Sequence, residues 1–179
     1  MITAEDVLTF WAQAGEGRWF TKSAAFDGAI SVRFRDTLAA ARGGAYDHWA
    51  ETPRGALGLV ILLDQFSRNL HRNSPLAFAA DARALRLALA VVAKGWLHAM
   101  PAPLSRWFVV PYEHAEDLDM QWRGVALFRG MGFHDLAYWA EMHRDIIARF
   151  GRFPHRNAVL GRTSTAEELA FLRAGGFAG

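Results

Sequence analysis

The spacing of apolar residues along the chain predicts helices and no strands. After Ser23, apolar side chains recur three and four positions apart as far as Ala41, and Gly43 follows as a stop signal. Thr3 precedes a shorter pattern of the same kind, with Asp6 in the first turn, where a carboxylate stabilises a helix. No stretch alternates apolar and polar residues as a half-buried strand does. The pattern therefore predicts an all-α fold.

A central helix is predicted to be buried on every side. Thr52 can cap this helix, Pro53 suits its first turn, and the run LGLVILL at 57–63 is apolar on all faces. The polar residues that follow predict that the same helix continues to about His71. Further helical segments are predicted at 74–94, where Ser-Pro repeats the start signal, at 113–129, at 133–150, and, behind a capping box of Ser164 with Glu167, up to about Arg173.

Two of these segments, 113–129 and 133–150, have the lengths and the intervening glycines of an antiparallel helical hairpin. Packed hairpins of this size form tetratricopeptide-like arrays, although no exact repeat occurs in the sequence. Folding the hairpin sets Asp117 opposite Ile146. We therefore predict that the acid-rich start of the first helix contacts the arginine-rich segment 149–157, which follows the second helix.

Composition supports a single packed domain. The 179 residues are enough to bury one core, and 52% of them are hydrophobic, which excludes a disordered chain. No cysteine occurs, which excludes disulfides and thiolate chemistry and favours a reducing compartment. No apolar run reaches the roughly 20 residues of a membrane span, and Glu5 and Asp6 stand where a signal peptide carries basic residues. We predict one all-α domain over 1–179, with seven to eight helices, in the cytoplasm.

The basic residues are almost all arginines. The formal net charge is +2, and among the 20 basic residues only Lys22 and Lys94 are lysines. Arginine suits the geometry of carboxylates and phosphates, but so general a bias also arises from a GC-rich genome. Long blocks of like charge are absent, so nucleic acid is not an expected partner.

The first polar cluster is DQFSRNLHR at 64–72, directly after the apolar run. Asp64 and Arg68 are four residues apart and share one face of the predicted helix. One interpretation is a structural ion pair at the end of the core helix, because a buried carboxylate needs a partner. The other interpretation places Arg68 and Asn69 at the mouth of a cavity, where they bind an anion.

The second cluster is PYEHAEDLD at 111–119. A continuous helix would put Glu113, His114 and Asp117 on one face, which suits a general acid or base. Metal binding is not expected, because neither a repeated Glu-x-x-His nor a His-Glu-x-x-His is present. Acids are also common in the first turn of any helix. His143, on the second hairpin helix, would look toward the same region, either as a catalyst or as a hydrogen-bonded core residue.

The third cluster is RFGRFPHRN at 149–157. Gly151 is suited to a left-handed helix end, and Phe153 before a proline is expected to be extended. Phe153 and Phe150 are expected in the core, since stacking on a nucleic-acid strand would need a wider basic field. The polar residues of the cluster then lie on a loop, where they can serve a ligand: Arg152, His155, Arg156 and Asn157.

Four long stretches carry these polar clusters: LLDQFSRN at 62–69, FAAD at 78–81, PYEHAEDLDMQ at 111–121 and RFGRFPHRNAVLGRTSTAEELAFL at 149–172. Through them the chain resembles a bacterial family, domain of unknown function 924. The family more usually has proline in place of Ser67 and phenylalanine in place of Tyr112. The resemblance implies a tetratricopeptide-like helical fold and no established activity, substrate or cofactor.

The residues support three functional hypotheses. The first is a protein that binds a small anionic ligand or a peptide, through Arg68, Asn69, Arg152, His155, Arg156 and Asn157. The second is a small metal-independent hydrolase or transferase, with His114 or His143 as the base and Glu113 or Asp117 orienting it. The third is a purely structural role for the charged clusters, whose ion pairs would hold the helices together.

Partners are only coarsely constrained by the sequence. No cofactor, no nucleic acid and no membrane is expected. A homodimer is left open, because exposed tryptophans such as Trp96 or Trp107 could form its contact.

Overall fold

All 179 residues are described by a computed structural model, and they form helices, turns and loops without a strand. The predicted all-α class is therefore confirmed, whereas a tetratricopeptide-like arrangement stays a prediction. The α-helices are α1 (Ala4–Ala14), α2 (Glu16–Trp19), α3 (Ala24–Arg42), α4 (Pro53–Val60), α5 (Ser67–Leu70), α6 (Asp81–Ala93), α7 (Ala102–Ser105), α8 (Val110–Glu113), α9 (Leu118–Gly130), α10 (His134–Phe150) and α11 (Ala166–Arg173).

Contacts between Cα atoms divide the chain into two compact units. Unit 1 comprises Met1–Arg72 and Leu76–Pro111, and unit 2 comprises Asn73–Pro75 and Tyr112–Gly179. The prediction of one domain stays a prediction. No helix of the chain has both the length and the apolar character that crossing a membrane requires.

Unit 1 is built around α4, which is buried along almost its whole length, as the apolar run predicted. Helices α1 and α6 pack against it. Gly58 allows the close approach of α1, since a Cβ atom there would lie 2.9 Å from the carbonyl oxygen of Ala4. The side chains of Thr3, Ser23 and Thr52 each accept a hydrogen bond from a backbone amide in the first turn of the helix that follows, which confirms the predicted cap at Thr52.

The central helix contains a π-helical turn. α4 continues without a break into a π segment at Ile61–Phe66, and α5 follows it as far as Leu70. The π segment is buried, and Asp64 is the acidic residue within it. The predicted single helix to about His71 is therefore continuous, but it is wider in the middle than an α-helix.

Two predictions for unit 1 are wrong. The helix predicted from Pro75 starts six residues later, because the turn that Pro75 opens is a short 3₁₀ helix that ends at Ala77, and α6 begins at Asp81. Trp107 is not exposed: it is 2% accessible, with its ring centroid 5.1 Å from that of Trp11. The expected exposure of Trp107 is therefore wrong, and the homodimer stays a prediction.

Unit 2 contains the predicted antiparallel hairpin, formed by α9 and α10. The guanidinium of Arg144 lies 4.2 Å from the ring centroid of Trp122, and Arg129 forms an ion pair with Glu141 nearer the turn. α10 ends at Phe150, and the left-handed backbone of the next residue, Gly151, allows its amide to donate to the carbonyl of Ile147 over 2.8 Å. The predicted helix end is confirmed.

The hairpin's first helix starts later than predicted. Residues 114–117 form a turn between α8 and α9, so the continuous helix from Glu113 is wrong. Asp117 caps α9 by accepting from the amide of Met120 over 3.0 Å. The buried side chain of Gln121 donates to the carbonyl oxygens of Glu113 and Ala115, over 2.8 and 2.7 Å. These bonds stabilise the break, because they satisfy backbone oxygens that the interrupted helix leaves exposed.

The capping box of the last helix is also one residue later than predicted. Thr165 caps α11, and its partner in the box is Glu168. Ser164 does not cap the helix; its hydroxyl instead accepts from the side-chain amide of Asn157 over 3.1 Å. The predicted pair of Ser164 with Glu167 is therefore wrong.

Candidate ligand site

In unit 1, Arg68 is surrounded by acceptors from its own chain. Its Nη1 donates to the carbonyl oxygen and to Oδ1 of Asp64, over 2.9 and 3.3 Å. Its two terminal nitrogens also form a forked pair with Asp81, with both distances 2.9 Å. Asp64 is only 1% exposed and accepts a further bond from Gln65. The predicted ion pair between Asp64 and Arg68 is present.

A neighbouring pair of side chains in the same unit converges on Asp27. The side-chain amide of Asn69 donates to Oδ1 over 2.7 Å, and the Nε of Arg72 donates to Oδ2 over 2.5 Å. Burial raises the pKa of Asp27, but hydrogen bonds from Arg72 and Asn69 and the charge of Arg72 outweigh it, so the pKa lies below its usual value. Arg68 and Asn69, the two residues of unit 1 that were predicted to bind an anion, thus both donate to carboxylates of the chain.

In unit 2, the buried carboxylate of Glu168 collects four donors. Arg152 donates through Nε and Nη2 over 2.6 and 2.9 Å, the amide of Thr165 over 2.7 Å, and Asn157 over 3.2 Å. The hydrogen bonds from Arg152 are the main cause that lowers the pKa of Glu168 to about 2; burial opposes them. Asn157 is fully buried, and its side-chain oxygen has no hydrogen-bond partner.

Glu116 is the second carboxylate that holds the segment after α10. Arg162 donates to its two oxygens over 2.6 and 2.9 Å, and the backbone amide of Phe153 donates over 2.7 Å. Burial raises the pKa of Glu116, yet these hydrogen bonds, together with the charges of Arg162 and Arg156, bring it below its usual value. The predicted contact between the acid-rich turn and the arginine-rich segment is confirmed.

Four rings form a closed arrangement at the centre of this segment, which we call the aromatic box. The ring centroid of Phe153 lies 5.6 Å from that of His143 and 5.5 Å from that of His155. The ring of Phe177, which follows α11, completes the box at 4.6 Å from His143 and 5.2 Å from His155. The contacts of both histidines with Phe177 and that of His143 with Phe153 are edge-to-face, a favourable geometry for aromatic pairs.

Charged groups adjoin the aromatic box. Oε2 of Glu113 lies 3.7 Å from Nδ1 of His143, and both side chains are nearly buried. The guanidinium carbon of Arg156 stands 4.5 Å from the ring centroid of Phe153, and Arg156 is 6% exposed. Among the predicted acid–base residues, the structure therefore brings Glu113 and His143 together.

The other predicted acid–base residues have different surroundings. Asp117 serves as the cap of α9, and His114 lies in the turn that precedes it. The face that these residues were predicted to share with Glu113 does not exist, because the helix is interrupted between them. No group of three histidine, aspartate or glutamate side chains is arranged to hold a metal ion.

The six predicted ligand-binding residues are divided between the two units. Arg68 and Asn69 belong to unit 1, and the other four belong to unit 2. Sequence reasoning gave no role to Arg162, Glu168 or Phe177. A spacing of 46 residues separates Arg162 from Glu116, and no local pattern reports such a contact. Phe177 lies outside every helix, so hydrophobic periodicity gave no signal for it.

The chain is similar to a bacterial protein family over nearly its whole length. Residues 7–176 match the model of a family described as "Bacterial protein of unknown function (DUF924)". A solved structure of a protein of unknown function from Agrobacterium tumefaciens is 41% identical in sequence, with a TM-score of 0.92. The match covers 96% of this chain and 97% of that one. No curated protein matches the chain.

Proposed function

Since the chain belongs to the bacterial DUF924 family, for which no function is established, we propose from its own residues that it binds a small anionic molecule at the aromatic box. The cytoplasmic location that the lack of cysteine favours is part of the same proposal. A peptide would be bound through a carboxylate, by the same donors.

One observation carries this proposal: three groups that can donate to an anion share the ring of Phe153. The guanidinium of Arg156 stacks 4.5 Å above the ring, and the imidazoles of His143 and His155 contact the same ring. A guanidinium held against an aromatic face keeps its planar fork of donors oriented for a carboxylate or a phosphate.

Two other arginines of unit 2 hold the backbone in place and do not bind the ligand in this proposal. Arg152 and Arg162 each donate two bonds to a carboxylate, so they hold the segment in place. The same holds for Asn157, which donates to Glu168 and Ser164. We assign ligand binding in unit 2 to Arg156 and His155 of the predicted set, because both contact the ring of Phe153, and we add His143 for the same reason.

A charge balance predicts how binding depends on pH. Three guanidinium groups and three side-chain carboxylates contribute to this part of unit 2, and Gly179 lies against the imidazole of His155. An anion bound there favours protonation of His143 or His155, because a positive imidazole neutralises the added charge. Binding should therefore strengthen as the pH falls. The charged groups in this balance are Arg152, Arg156, Arg162, Glu113, Glu116 and Glu168.

Inorganic phosphate is the first probe, titrated into the protein while NMR records the imidazole C–H signals of His143 and His155. We expect saturable shifts of both signals, with tighter binding at pH 6 than at pH 8. Replacing His155→Gln should weaken binding about tenfold, the loss of one charge-assisted hydrogen bond. His134→Gln removes an exposed imidazole of the same unit and should leave binding unchanged. Unchanged His143 and His155 signals at millimolar phosphate would contradict the proposal.

A second candidate function is acid–base catalysis, supported by the 3.7 Å separation of Glu113 and His143. A carboxylate beside an imidazole orients it and stabilises its protonated form, which suits a general base in a hydrolase or transferase. A screen of p-nitrophenyl esters and phosphates tests this candidate. Any turnover should be lost in Glu113→Gln and in His143→Gln but retained in His134→Gln. Turnover that survives both changes would exclude this pair as the catalyst.

A further inference from the structure

The segment after α11 ends in an unusual arrangement of glycines around one aromatic residue. Gly175 has a left-handed backbone with φ of 81°, which side chains other than glycine rarely adopt. A Cβ atom on Gly176 would lie 2.5 Å from the ring of Phe171, so a larger residue here would displace that ring. The two glycines turn the chain back, and Phe177 then enters the aromatic box.

Phe177 is the ring of the aromatic box that neither an α-helix nor a carboxylate-held segment positions. His143 lies on α10, and Phe153 and His155 lie in the segment that Glu116 and Glu168 hold. Phe177 stands in a segment without helix or strand, and its ring is only partly buried. Short segments of this kind, without regular backbone structure, open locally at a small cost compared with global unfolding.

We propose that Phe177 occupies the place of a ligand's planar ring, so that the ligand is an aromatic carboxylate, and residues 174–179 move out when it binds. The inference rests on the proposed function, since His155 and Arg156 would hold the carboxylate. The ligand's ring would take over the edge-to-face contacts that Phe177 makes with His143 and His155, at centroid distances of 4.6 and 5.2 Å.

The geometry favours a ring over an aliphatic chain. The two imidazoles meet the inserted ring at interplanar angles of 62° and 80°, so both present to it the orientation that aromatic pairs prefer. A flexible aliphatic acid would fill the same volume without these contacts and would lose more conformational freedom on binding. The site thus selects a rigid, flat apolar group next to an anionic one.

If Phe177 competes with the ligand, its removal must strengthen binding. The apparent dissociation constant equals the intrinsic constant divided by the fraction of molecules whose site is open. Phe177→Ala opens the site in every molecule, and the affinity for an aromatic carboxylate should rise severalfold. Leu169→Ala removes a half-exposed apolar side chain from α11 and serves as the matched control, with no expected change in affinity.

Benzoate is the probe, compared with acetate, which lacks the ring, and with benzyl alcohol, which lacks the charge. We expect benzoate to shift the NMR signals of His143, His155 and Phe177 in the wild type, and to bind Phe177→Ala more tightly. Acetate and benzyl alcohol should each bind much more weakly than benzoate. Phe177→Leu keeps apolar bulk without a ring and should also bind benzoate more tightly than the wild type. It keeps the test decisive if the alanine variant is unstable.

The outcomes separate this inference from the proposed function. If benzoate binds no better than acetate, or if neither Phe177 variant gains affinity, the inference is overturned, while binding of phosphate would leave the proposed function intact. If phosphate, acetate and benzoate all fail to shift the histidine signals, the proposed function fails and the inference fails with it.

Discussion

The two units use ion pairs for different purposes. In unit 1, Arg68 connects Asp64 of the central helix to Asp81 at the start of α6, so its charge joins one helix to another. In unit 2, Glu116 and Glu168 each accept both a guanidinium and a backbone amide, and they hold a segment with little regular secondary structure. In unit 1 the ion pairs connect helices that are already formed, whereas in unit 2 they also fix the conformation of a loop.

The difference explains why the aromatic box forms in unit 2. A segment that lacks internal helical hydrogen bonds must satisfy its backbone groups elsewhere, and carboxylates that also bind arginines do this at fixed positions. Phe153 and His155 are placed by these bonds between the last turn of α10 and the start of α11. Variants of single charged residues distinguish these two purposes, which are the stabilisation of helix packing in unit 1 and the positioning of a site in unit 2.

The largest effect is expected for Arg68→Gln in unit 1. The change removes the cation from a carboxylate, Asp64, that is almost fully buried, and breaking such a pair costs about 3 to 5 kcal/mol of unfolding free energy. Chemical denaturation measures the loss. Arg86→Gln, which removes an exposed arginine from α6, is the control and should cost far less. Equal losses in the two variants would show that Asp64 does not depend on Arg68.

Glu168→Gln should cost about 3 kcal/mol, because a buried carboxylate with two arginine bonds is replaced by a neutral amide. The pKa of Glu168 is lowered from 4.5 to about 2, so its contribution to stability is complete above pH 4.5 and is lost as the pH falls toward 2. Chemical denaturation at several pH values between 4.5 and 2 should therefore show that the unfolding free energy falls more steeply with pH in the wild type than in Glu168→Gln. The same pH dependence of the unfolding free energy in both proteins would contradict a lowered pKa of Glu168.

Glu116→Gln should cost less, about 2 kcal/mol, because Glu116 is partly exposed and loses charge-assisted hydrogen bonds only. Its distinguishing effect is on the site: the NMR signals of His143 and His155 should shift, since Phe153 loses its anchor. Asp27→Asn in unit 1 is the counterpart. It should lower stability by a similar amount and leave both histidine signals in place. The division of purposes between the units would be refuted if the two variants affected these signals alike.

The smallest effect is expected for Glu167→Gln, the neighbour of Glu168. Its pair with Arg149 is exposed on both sides, at 62% and 53%, and exposed pairs contribute about 0 to 1 kcal/mol. A melting-temperature scan of this variant beside Glu168→Gln compares two adjacent carboxylates that differ chiefly in burial. A large destabilisation by Glu167→Gln would mean that burial does not decide which pairs matter.

Much of the fold was predictable from local signals. Thr3, Ser23 and Thr52 cap helices through bonds to residues three positions ahead, and Gly151 ends one through its own backbone conformation. Each signal lies within a single turn of chain, so a single sequence reveals it. The long-range partners of Arg68 and Arg162 could not be predicted in this way, because any of several aspartates or glutamates could form the same ion pair.

The last helix illustrates where local reasoning stops. Ser164 with Glu167 and Thr165 with Glu168 both fit the capping-box pattern, one residue apart. The second pair forms because Glu168 is also the partner of Arg152, and burial of Glu168 sets the phase of the helix. The capping-box pattern alone could not distinguish the two pairs, since the contact that decides between them joins Glu168 to Arg152, 16 residues away.

The π segment at Ile61–Phe66 has a consequence for how this chain can tolerate length changes. A π-turn spans one residue more than an α-turn between hydrogen-bonded groups, so it stores a surplus residue inside a continuous helix. Deleting one residue there would let the wide turn close into an ordinary α-turn, and the helix beyond it would keep nearly the same facing. Arg68 would still point toward Asp81. The π segment is thus the place where the central helix can lose a residue without changing the direction in which its second half faces.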